Sequence, residues 1–455
     1  ERLRTEIIPP LQAATAAKKA QGVDQAVILL GDIVWDSPQL FAKIREQFAS
    51  LGIPVYGVIG NHDHDLNKFT DREATENYRS HFGPTYYAFD MGRTHYVVLD
   101  DIVYHGARKY DEQIDSMQLR WAAAYAERLP AGSRVCFAMH APAMKSWRDE
   151  RRVMESAETL MDAFAGHEIH FISGHTHINS NFDIREGAME HNVAQICGNL
   201  WRDPINRDGT PKGWQLFREC GGDFAWTYQS LEMPEARQLR VWGPGTAEDY
   251  PASVIAKVWN WDSYWTVVWY EDGRYRGSMQ RIWCNDPDYI ANIDSLKAAG
   301  KTVSKSQRPR TTHFYFKARP FRPPLLGAHN APDKGIGQKT DRPPQTDKAD
   351  GKQIHRPPLR MRPPENEKNG ESYNSPFFMY LHRCRSVDIP PVGFVVRRSG
   401  FHLDLQFDHI DGRGGGFVAL VAVTASAAVQ SLLHVVHGQH AEGDRHVPLD
   451  LQLRD

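Results

Sequence analysis

The sequence predicts an α/β sandwich over residues 1–185, and two patterns support this fold class. Apolar runs of strand length, such as residues 26–30 and 54–59, alternate with longer stretches in which apolar side chains recur at helical spacing. Residues 38–51 and 112–129 are stretches of this second kind, and both predict helices. Strands that alternate with helices in this way are typical of sheets covered by helices.

Composition limits the classes of protein to which the chain can belong. Its 455 residues are enough for two or three domains, and hydrophobic and charged fractions of 41% and 24% are those of a soluble globular protein. With 54 Lys and Arg against 56 Asp and Glu, the bulk charge gives no signal for a nucleic-acid partner. The five cysteines show no CxxC spacing, which argues against a disulfide framework or a thiolate zinc site.

Two further regions follow the first domain. Residues 186–320 consist of short β-prone segments rich in Trp and Tyr and separated by turn signals, and they predict a small all-β domain. Residues 321–455 contain repeated Pro-Pro pairs without apolar periodicity, so we expect a disordered tail that buries too little surface to offset ordering entropy. The uncharged stretch 417–436 approaches the length of a membrane span, but interspersed polar residues argue against a transmembrane helix.

Four short motifs carry the candidate chemistry, and each follows an apolar strand-like run. In chain order they are Gly31-Asp32, Gly60-Asn61-His62-Asp63, a strand that ends at His140, and Gly174-His175-Thr176-His177. Each motif is weak when taken singly. Because the carboxyl ends of parallel strands meet at one edge of a sheet, their shared placement predicts a single site.

The residue types of these motifs suit a pair of divalent cations. A carboxylate such as Asp32 can bridge two ions and offset their mutual repulsion. The amide oxygen of Asn61 and the imidazoles of His140, His175 and His177 suit borderline metals such as zinc, manganese and iron. The sequence therefore predicts a metal site made from these five residues.

Other polar residues near the motifs have a candidate role or a simpler interpretation. His62 followed by Asp63 places an imidazole beside a carboxylate, as in a general acid with its orienting partner. Asp36, which precedes Pro38, is predicted to cap a helix. The cations at positions 145, 148, 151 and 152 could attract phosphate, but a solvated helix face is the simpler interpretation.

These motifs resemble the signature of the calcineurin-like metallophosphoesterases, which includes GD, GNH followed by Asp or Glu, a lone His, and GHxH. Residues 30–34, 60–65 and 82–87 resemble bacterial members that carry a dedicated C-terminal β domain. Residues 208–214 and 256–262 resemble that C-terminal domain itself. The resemblance implies a metallophosphoesterase β-sandwich flanked by helices and followed by a small all-β domain.

The resemblance also implies a role for each motif residue. Asp32 would bridge two divalent ions (manganese, zinc or iron), and His177 would bind the first of them. Asn61, His140 and His175 would complete the second metal site. His62 would stabilise or protonate the scissile phosphate ester, with Asp63 holding its ring.

The implied function is hydrolysis of phosphate mono- or diesters on a small phosphorylated substrate. The alternative is a catalytically inactive scaffold whose β domain binds carbohydrate or protein. The intact motifs at residues 61–63 and 175–177 favour the enzyme, because a scaffold has no physical need of these metal-binding and catalytic side chains. By resemblance, we expect a periplasmic or extracellular location.

The chain departs from the family pattern at both ends. The family's first metal motif is expected upstream of residue 1, which would leave the first metal only Asp32 and His177 and impair this fragment. Beyond residue 320 the chain is rich in Arg and Pro, and its sequence resembles nothing in the family. A shifted reading frame and a natural disordered tail would each explain it.

Overall fold

The computed structural model of the chain describes residues 1–146, 151–220, 222–271 and 274–320, together with the backbone of four short strands further on. Within these residues the α-helices are α1 Ile8–Ala20, α2 Phe41–Ala49, α3 Asp71–Ala74, α4 Glu76–Phe82, α5 Ser116–Ala126, α6 Glu155–Ala163 and α7 Pro287–Ala298. Shorter helical turns of other types lie at Leu3–Ile7, Pro38–Leu40, Asn61–Asp63 and Lys305–Gln307.

The strands fall into three groups along the chain. The first group is β1 Asp24–Leu30, β2 Val55–Val58, β3 Tyr87–Met91, β4 Thr94–Val98, β5 Ile102–Tyr104, β6 Tyr110–Glu112, β7 Arg134–Ala138, β8 Met144–Ser146, β9 Arg152–Val153, β10 Glu168–Ser173, β11 Ser180–Arg185, β12 Ala188–Asn192, β13 Gly213–Cys220 and β14 Asp223–Ser230. The second is β15 Leu239–Trp242, β16 Val254–Val258, β17 Trp265–Glu271, β18 Arg274–Ser278, β19 Gln280–Cys284 and β20 Thr312–Ala318. The third is β21 Phe377–Arg383, β22 Phe394–Val396, β23 Leu403–Leu405 and β24 Val418–Val423.

Two sheets form a sandwich covered by helices, which confirms the predicted fold class. One sheet has the strand order β14-β13-β24-β1-β2, and the other has the order β11-β12-β10-β7-β4-β3. Ile28 and Leu30 of the first sheet and Val98 of the second belong to one buried cluster between the sheets. Because β1 is buried on both faces, it is a continuous apolar run rather than an alternating one.

The parallel strands place the motifs at one edge of the sandwich. β1 and β2 run parallel in the first sheet, and β10, β7 and β4 run parallel in the second. Asp32 and Asn61 follow β1 and β2, while His140 and His175 follow β7 and β10, each by two or three residues. The four motifs therefore meet because of strand topology, as the sequence predicts.

One predicted helix begins later than expected. Residues 112–129 were expected to be helical, but Glu112 ends strand β6 and the helix starts at Ser116. Asp115 caps it by accepting hydrogen bonds from the backbone N–H groups of Met117 at 2.7 Å and Gln118 at 3.0 Å. A carboxylate at this position accepts hydrogen bonds from amide groups that would otherwise lack partners. If the helix began before Asp115, this cap would be lost.

Three strands that follow the predicted boundary at residue 185 pair within the sandwich sheets. Strands β12, β13 and β14 belong to the two sandwich sheets, so the separate sheets start at Leu239. These are a four-stranded sheet of order β15-β16-β20-β19 and a three-stranded sheet of order β18-β17-β21, and they share a core that includes Val241 and Trp269. Strand periodicity alone does not tell which sheet a strand joins.

Most of residues 321–455, predicted to form a disordered or frame-shifted tail, lie outside the described residues. The structure differs from that expectation at four strands, of which β21 pairs with β17, while β24 lies between β1 and β13. Strand β24 runs parallel to β1 and antiparallel to β13. Among the helices that the structure describes, none has the length and apolar character needed to cross a membrane.

Candidate metal centre

Four of the predicted ligand side chains converge at the sandwich edge. His140 Nε2 lies 3.1 Å from Asn61 Oδ1, 3.0 Å from His175 Nδ1 and 3.4 Å from Asp32 Oδ1. Ligand atoms of Asp32, His140 and His175 all lie within 4.8 Å of one another. That spacing suits residues that share a cation, since bonds from such atoms to a metal are about 2 Å long.

The charges of the cluster affect the pKa of His177, but His177 is not among the residues whose ligand atoms lie within 4.8 Å of one another. Burial lowers the pKa of its imidazole to about 3, while the nearby Asp32 carboxylate works in the opposite direction. The ring is therefore neutral at physiological pH, which is the form that binds metals.

The backbone at the site is held in an unusual conformation. Asp32, His175 and His177 have φ angles of 50°, 61° and 60°, in the left-handed region that non-glycine residues rarely adopt. Such conformations cost free energy and persist where the surrounding structure enforces them, often at functional sites. They turn the chain away from the strand ends, so that these three side chains are carried on tight turns.

Two glycines make the close approach of the motifs sterically possible. A Cβ atom on Gly31 would lie 2.3 Å from Nδ1 of His140. A Cβ atom on Gly60 would lie 2.3 Å from the backbone nitrogen of Asp32 and 2.6 Å from its Oδ1 atom. Any side chain at either position would push the ligand residues apart.

Hydrogen bonds at the far side of each imidazole fix which nitrogen faces the cluster. His140 Nδ1 lies 2.8 Å from the carbonyl oxygen of Leu30, to which it donates, so Nε2 is left for the cluster. His175 Nε2 lies 3.1 Å from Glu112 Oε1, which leaves its Nδ1 for the cluster. A carboxylate behind a ligand histidine is a common arrangement in metal sites, where it fixes the tautomer and the ring orientation.

The resulting arrangement fits a cation. Lone pairs of two imidazole nitrogens, one amide oxygen and one carboxylate oxygen converge within hydrogen-bond distance of His140 Nε2. Four acceptors repel one another unless a proton or a metal ion lies between them. The donors present therefore match a divalent ion with nitrogen and oxygen ligands.

The charges in the cluster keep Asp32 ionised. Burial by itself would raise the pKa of Asp32, but His140, followed by His62 and His175, holds it well below its usual range. Burial by itself would lower the pKa of His140, but the Asp32 carboxylate outweighs this effect and raises it to about 9. Asp32 is thus ionised, and without a metal ion a proton on His140 balances its charge.

His62 is held by residues other than the one predicted. Its Nδ1 lies 2.8 Å from Asp36 Oδ1, and its ring stacks on Trp35 with the centroids 3.8 Å apart. Arg108 Nη1 lies 2.8 Å from the second oxygen of Asp36. The predicted cap role of Asp36 was wrong, because Ser37 occupies the N-cap position and Asp36, with φ of 52°, turns towards His62.

The predicted role of Asp63 as the partner of the His62 ring is likewise corrected. Its carboxylate accepts hydrogen bonds from the backbone N–H groups of Gly60 at 2.8 Å and Val34 at 3.0 Å. Burial, aided by the charge of Asp32, raises the pKa of Asp63 to about 7. Asp63 thus links the turn after β1 to the turn after β2. It does not reach the His62 ring, because neighbouring side chains of the helical turn Asn61–Asp63 point in different directions.

Sequence reasoning missed two carboxylates that hold the ligand histidines. Asp101 accepts hydrogen bonds from the backbone N–H groups of His140 at 2.9 Å and Ala141 at 2.8 Å. It follows β4, so the strand-end pattern could have revealed it. Glu112 lies on the β5–β6 hairpin, and no sequence pattern marks it.

Glu112 links His175 to a cation outside the cluster. The hydrogen bond with His175 lowers the pKa of Glu112 to about 2, against the opposing effect of burial. Its other oxygen forms an ion pair with Lys145. Lys145 lies on strand β8 rather than on the solvated helix face predicted for it, and it compensates the charge of Glu112.

Comparisons with known proteins are consistent with this site. Residues 8–179 match the family model described as calcineurin-like phosphoesterase, and residues 190–330 match the model for the C-terminal domain of calcineurin-like phosphoesterases. Among the curated proteins, no significant match is found.

Two solved structures show a distant similarity. One is a dimetal phosphatase from Danio rerio, with 16% sequence identity and a TM-score of 0.33, covering 55% of this chain and 85% of that one. The other is the purple acid phosphatase PPD1 from yellow lupin (Lupinus luteus) seeds, with 11% identity and a TM-score of 0.32, covering 59% of this chain and 48% of that one.

The two family models match consecutive parts of the chain in the order that the sequence predicts. The first match contains all five predicted metal ligands, and the second begins within strand β12. The chain therefore belongs to the calcineurin-like metallophosphoesterase superfamily.

Proposed function

We propose that the protein hydrolyses phosphate mono- or diesters with the help of divalent cations held at the sandwich edge. The observation that carries this proposal is the convergence of four lone-pair donors from Asp32, Asn61, His140 and His175. These donors come from four different strand ends, so their convergence is a property of the whole fold.

Each ligand residue has a defined part in binding the cations. Asn61, His140 and His175 would hold one ion together with Asp32, and His177 would contribute to a second ion that shares Asp32. When bound, such ions activate water and neutralise the charge that develops on the transferred phosphoryl group. Nitrogen and oxygen donors without thiolates suit manganese, zinc or iron.

His62 would provide the proton or the positive charge at the leaving oxygen. Asp36 occupies its Nδ1, which leaves Nε2 as the atom that can donate a proton to the substrate. The stacked Trp35 limits rotation of the ring, and Arg108 balances the second oxygen of Asp36. General acid catalysis of this kind contributes about 10²–10⁴ in rate.

The test combines an assay of ester hydrolysis with a measurement of metal content. Chelator-treated protein is reloaded with manganese, zinc or iron and assayed on p-nitrophenyl phosphate and bis(p-nitrophenyl) phosphate. We expect hydrolysis to depend on the added ion. His62→Ala should lower turnover by about 10²–10⁴ without changing metal content, whereas Asp32→Ala should lower both.

His81→Ala is the matched control, because His81 lies on helix α4 and contacts the carbonyl oxygen of Asn77. It should leave turnover and metal content unchanged. A wild-type protein that binds metal but hydrolyses neither ester would favour the inactive scaffold. A protein that takes up no metal at all would refute the proposed function.

A further inference from the structure

A cleft of about 650 Å³ opens beside the metal centre. Among the residues that the structure describes, its walls come from strands β6, β8 and β9 and helices α5 and α6. Its volume falls within the range of roughly 300–1,000 Å³ that is usual for small-molecule sites. The cleft is therefore large enough to hold an organic group of substrate size.

The cleft shares residues with the metal centre. Glu112 lines the cleft and also contacts Nε2 of His175 at 3.1 Å. Tyr110, another lining residue, has its ring centroid 6.4 Å from that of His175 in an edge-to-face arrangement. The cleft therefore adjoins the ligand residue His175 on the side of Glu112 and Tyr110.

The charges that line the cleft do not favour a second anion. Three carboxylates, those of Asp111, Glu112 and Glu155, face two cations, Lys145 and Arg152. One of these cations is already compensated, because Lys145 forms an ion pair with Glu112. From the lining residues that the structure describes, an additional phosphate or carboxylate on the substrate would meet no net positive charge.

The remaining lining groups are neutral and mostly polar. Gln113, Ser156 and Thr159 offer amide and hydroxyl groups, and the apolar lining residues are Leu119 and Met154. Carboxylates beside neutral hydrogen-bonding groups and an aromatic ring match the alternating hydroxyl and C–H surface of a sugar or a polyol. An apolar leaving group would displace water from these polar groups without replacing its hydrogen bonds.

We propose that this cleft binds the alcohol part of the substrate and selects an uncharged, polyhydroxylated group such as a sugar or a polyol. The proposal rests on the proposed phosphoesterase function and assigns its substrate class. Glu112 then belongs to both sites, because one oxygen contacts the ligand histidine and the residue forms part of the cleft wall.

The test fills the cleft without touching the metal centre. Thr159 is an exposed residue of α6 that lines the cleft, and Thr159→Trp would occupy part of its volume. Glu158→Trp is the matched control, since Glu158 is its exposed neighbour on the same helix and does not line the cleft. For glucose 6-phosphate, Thr159→Trp should lower kcat/KM at least about tenfold, mainly through KM. Thr159→Trp should leave metal content unchanged, and Glu158→Trp should change kcat/KM for glucose 6-phosphate by less than about twofold.

A binding measurement separates this inference from the proposed function. Saturation-transfer NMR with methyl α-glucoside reports contact with the cleft without any hydrolysis, and the signal should be present in wild type and Glu158→Trp but lost in Thr159→Trp. If the glucoside signal is present but no ester is hydrolysed, the proposed function is refuted and the cleft assignment still holds. Gln113→Ala, which alters an exposed side chain of the cleft wall, should weaken the signal as an independent check.

Two results would overturn the inference while leaving the phosphoesterase activity intact. One is a Thr159→Trp protein with unchanged kcat/KM for glucose 6-phosphate and an unchanged glucoside signal. The other is a clear preference for fructose 1,6-bisphosphate over glucose 6-phosphate, because a favoured second anion contradicts the charge of the cleft.

Discussion

The imidazole of His62 is oriented by Asp36, whose Oδ1 atom lies 2.8 Å from His62 Nδ1. The two residues come from neighbouring strand ends, and the backbone N–H of Asp36 also donates to the carbonyl oxygen of His62 at 3.0 Å. This double link fixes both the ring and the loop that carries it. Asp36 is therefore expected to act through His62 rather than on the metals.

Replacing Asp36 by Asn should lower turnover more than it changes metal binding. The amide keeps the shape of the carboxylate but removes the negative charge beside His62 Nδ1 and can present an N–H there, so the ring is held less firmly. We expect a fall in kcat of about 10–10³, smaller than for His62→Ala, with little change in metal content. Asp65→Asn, at a carboxylate that contacts Asn67, is the control. Equal loss of metal in Asp36→Asn would contradict this assignment.

Glu112→Gln should weaken metal binding. Glu112 accepts the hydrogen bond that directs Nδ1 of His175 towards the cluster, and a neutral amide in its place supports that tautomer less strongly. Loss of such a partner typically costs about 10–100-fold in metal affinity. Competition with a coloured chelator measures the effect, and Asp111→Asn, which changes the neighbouring carboxylate, serves as the control. Identical affinities for the two variants would show that Glu112 does not support His175.

Gly60→Ala should lower both thermal stability and metal content. The added methyl group would lie 2.3 Å from the Asp32 nitrogen, so the loop that carries Asp32 must shift. Overpacking of this kind costs about 1–3 kcal/mol, which corresponds to a fall in Tm of several degrees. Gly243→Ala is the control, because no atom lies within 4 Å of its added Cβ. Calorimetry and elemental analysis would measure the two effects, and a Gly60→Ala protein with normal Tm and metal content would contradict the geometry.

Glu190 should make the folded protein less stable as pH rises. Its carboxyl accepts hydrogen bonds from Ser173 and from the backbone of Ala143 and Met144, but burial outweighs these donors and raises its pKa from 4.5 to about 7. Between these values the folded state holds a proton that the unfolded state has lost, so stability falls with increasing pH. The full loss, on the order of 3 kcal/mol, is reached above pH 7.

Urea unfolding at pH 5 and pH 8 tests this pH dependence. Glu190→Gln removes the titrating group, so its stability relative to wild type should rise between the two pH values. Glu186→Gln, at an exposed position of the β11–β12 turn, should follow the wild-type curve. Parallel curves for wild type and Glu190→Gln would show that Glu190 titrates equally in both states.

Strand topology explains why much of the metal centre could be predicted from sequence. Asp32, Asn61, His140 and His175 each follow an apolar run, and the carboxyl ends of such strands meet at one sheet edge. Their convergence needs only the correct sheet order. The fold class is predictable for the same reason, since period-2 and helical spacing alternate along the first domain.

The supporting residues were less predictable because their side-chain directions depend on local backbone geometry. Asp36 faces His62 through a positive φ angle that no sequence pattern indicates for an aspartate. Glu112 reaches His175 from a short hairpin that the sequence suggested to be helical. The sequence also did not reveal that strands β12–β14 join the sandwich sheets, because their pattern is the same whether they extend the sandwich or begin a new sheet.

Anomalous scattering from crystals of the full chain grown with excess zinc tests the central claim most directly. We predict a strong zinc peak about 2.0–2.2 Å from Nε2 of His140, Nδ1 of His175 and a carboxylate oxygen of Asp32. Loss of this peak in the Asp32→Ala variant would complete the assignment. A zinc peak elsewhere, with these three side chains keeping their present mutual hydrogen bonds, would contradict the account.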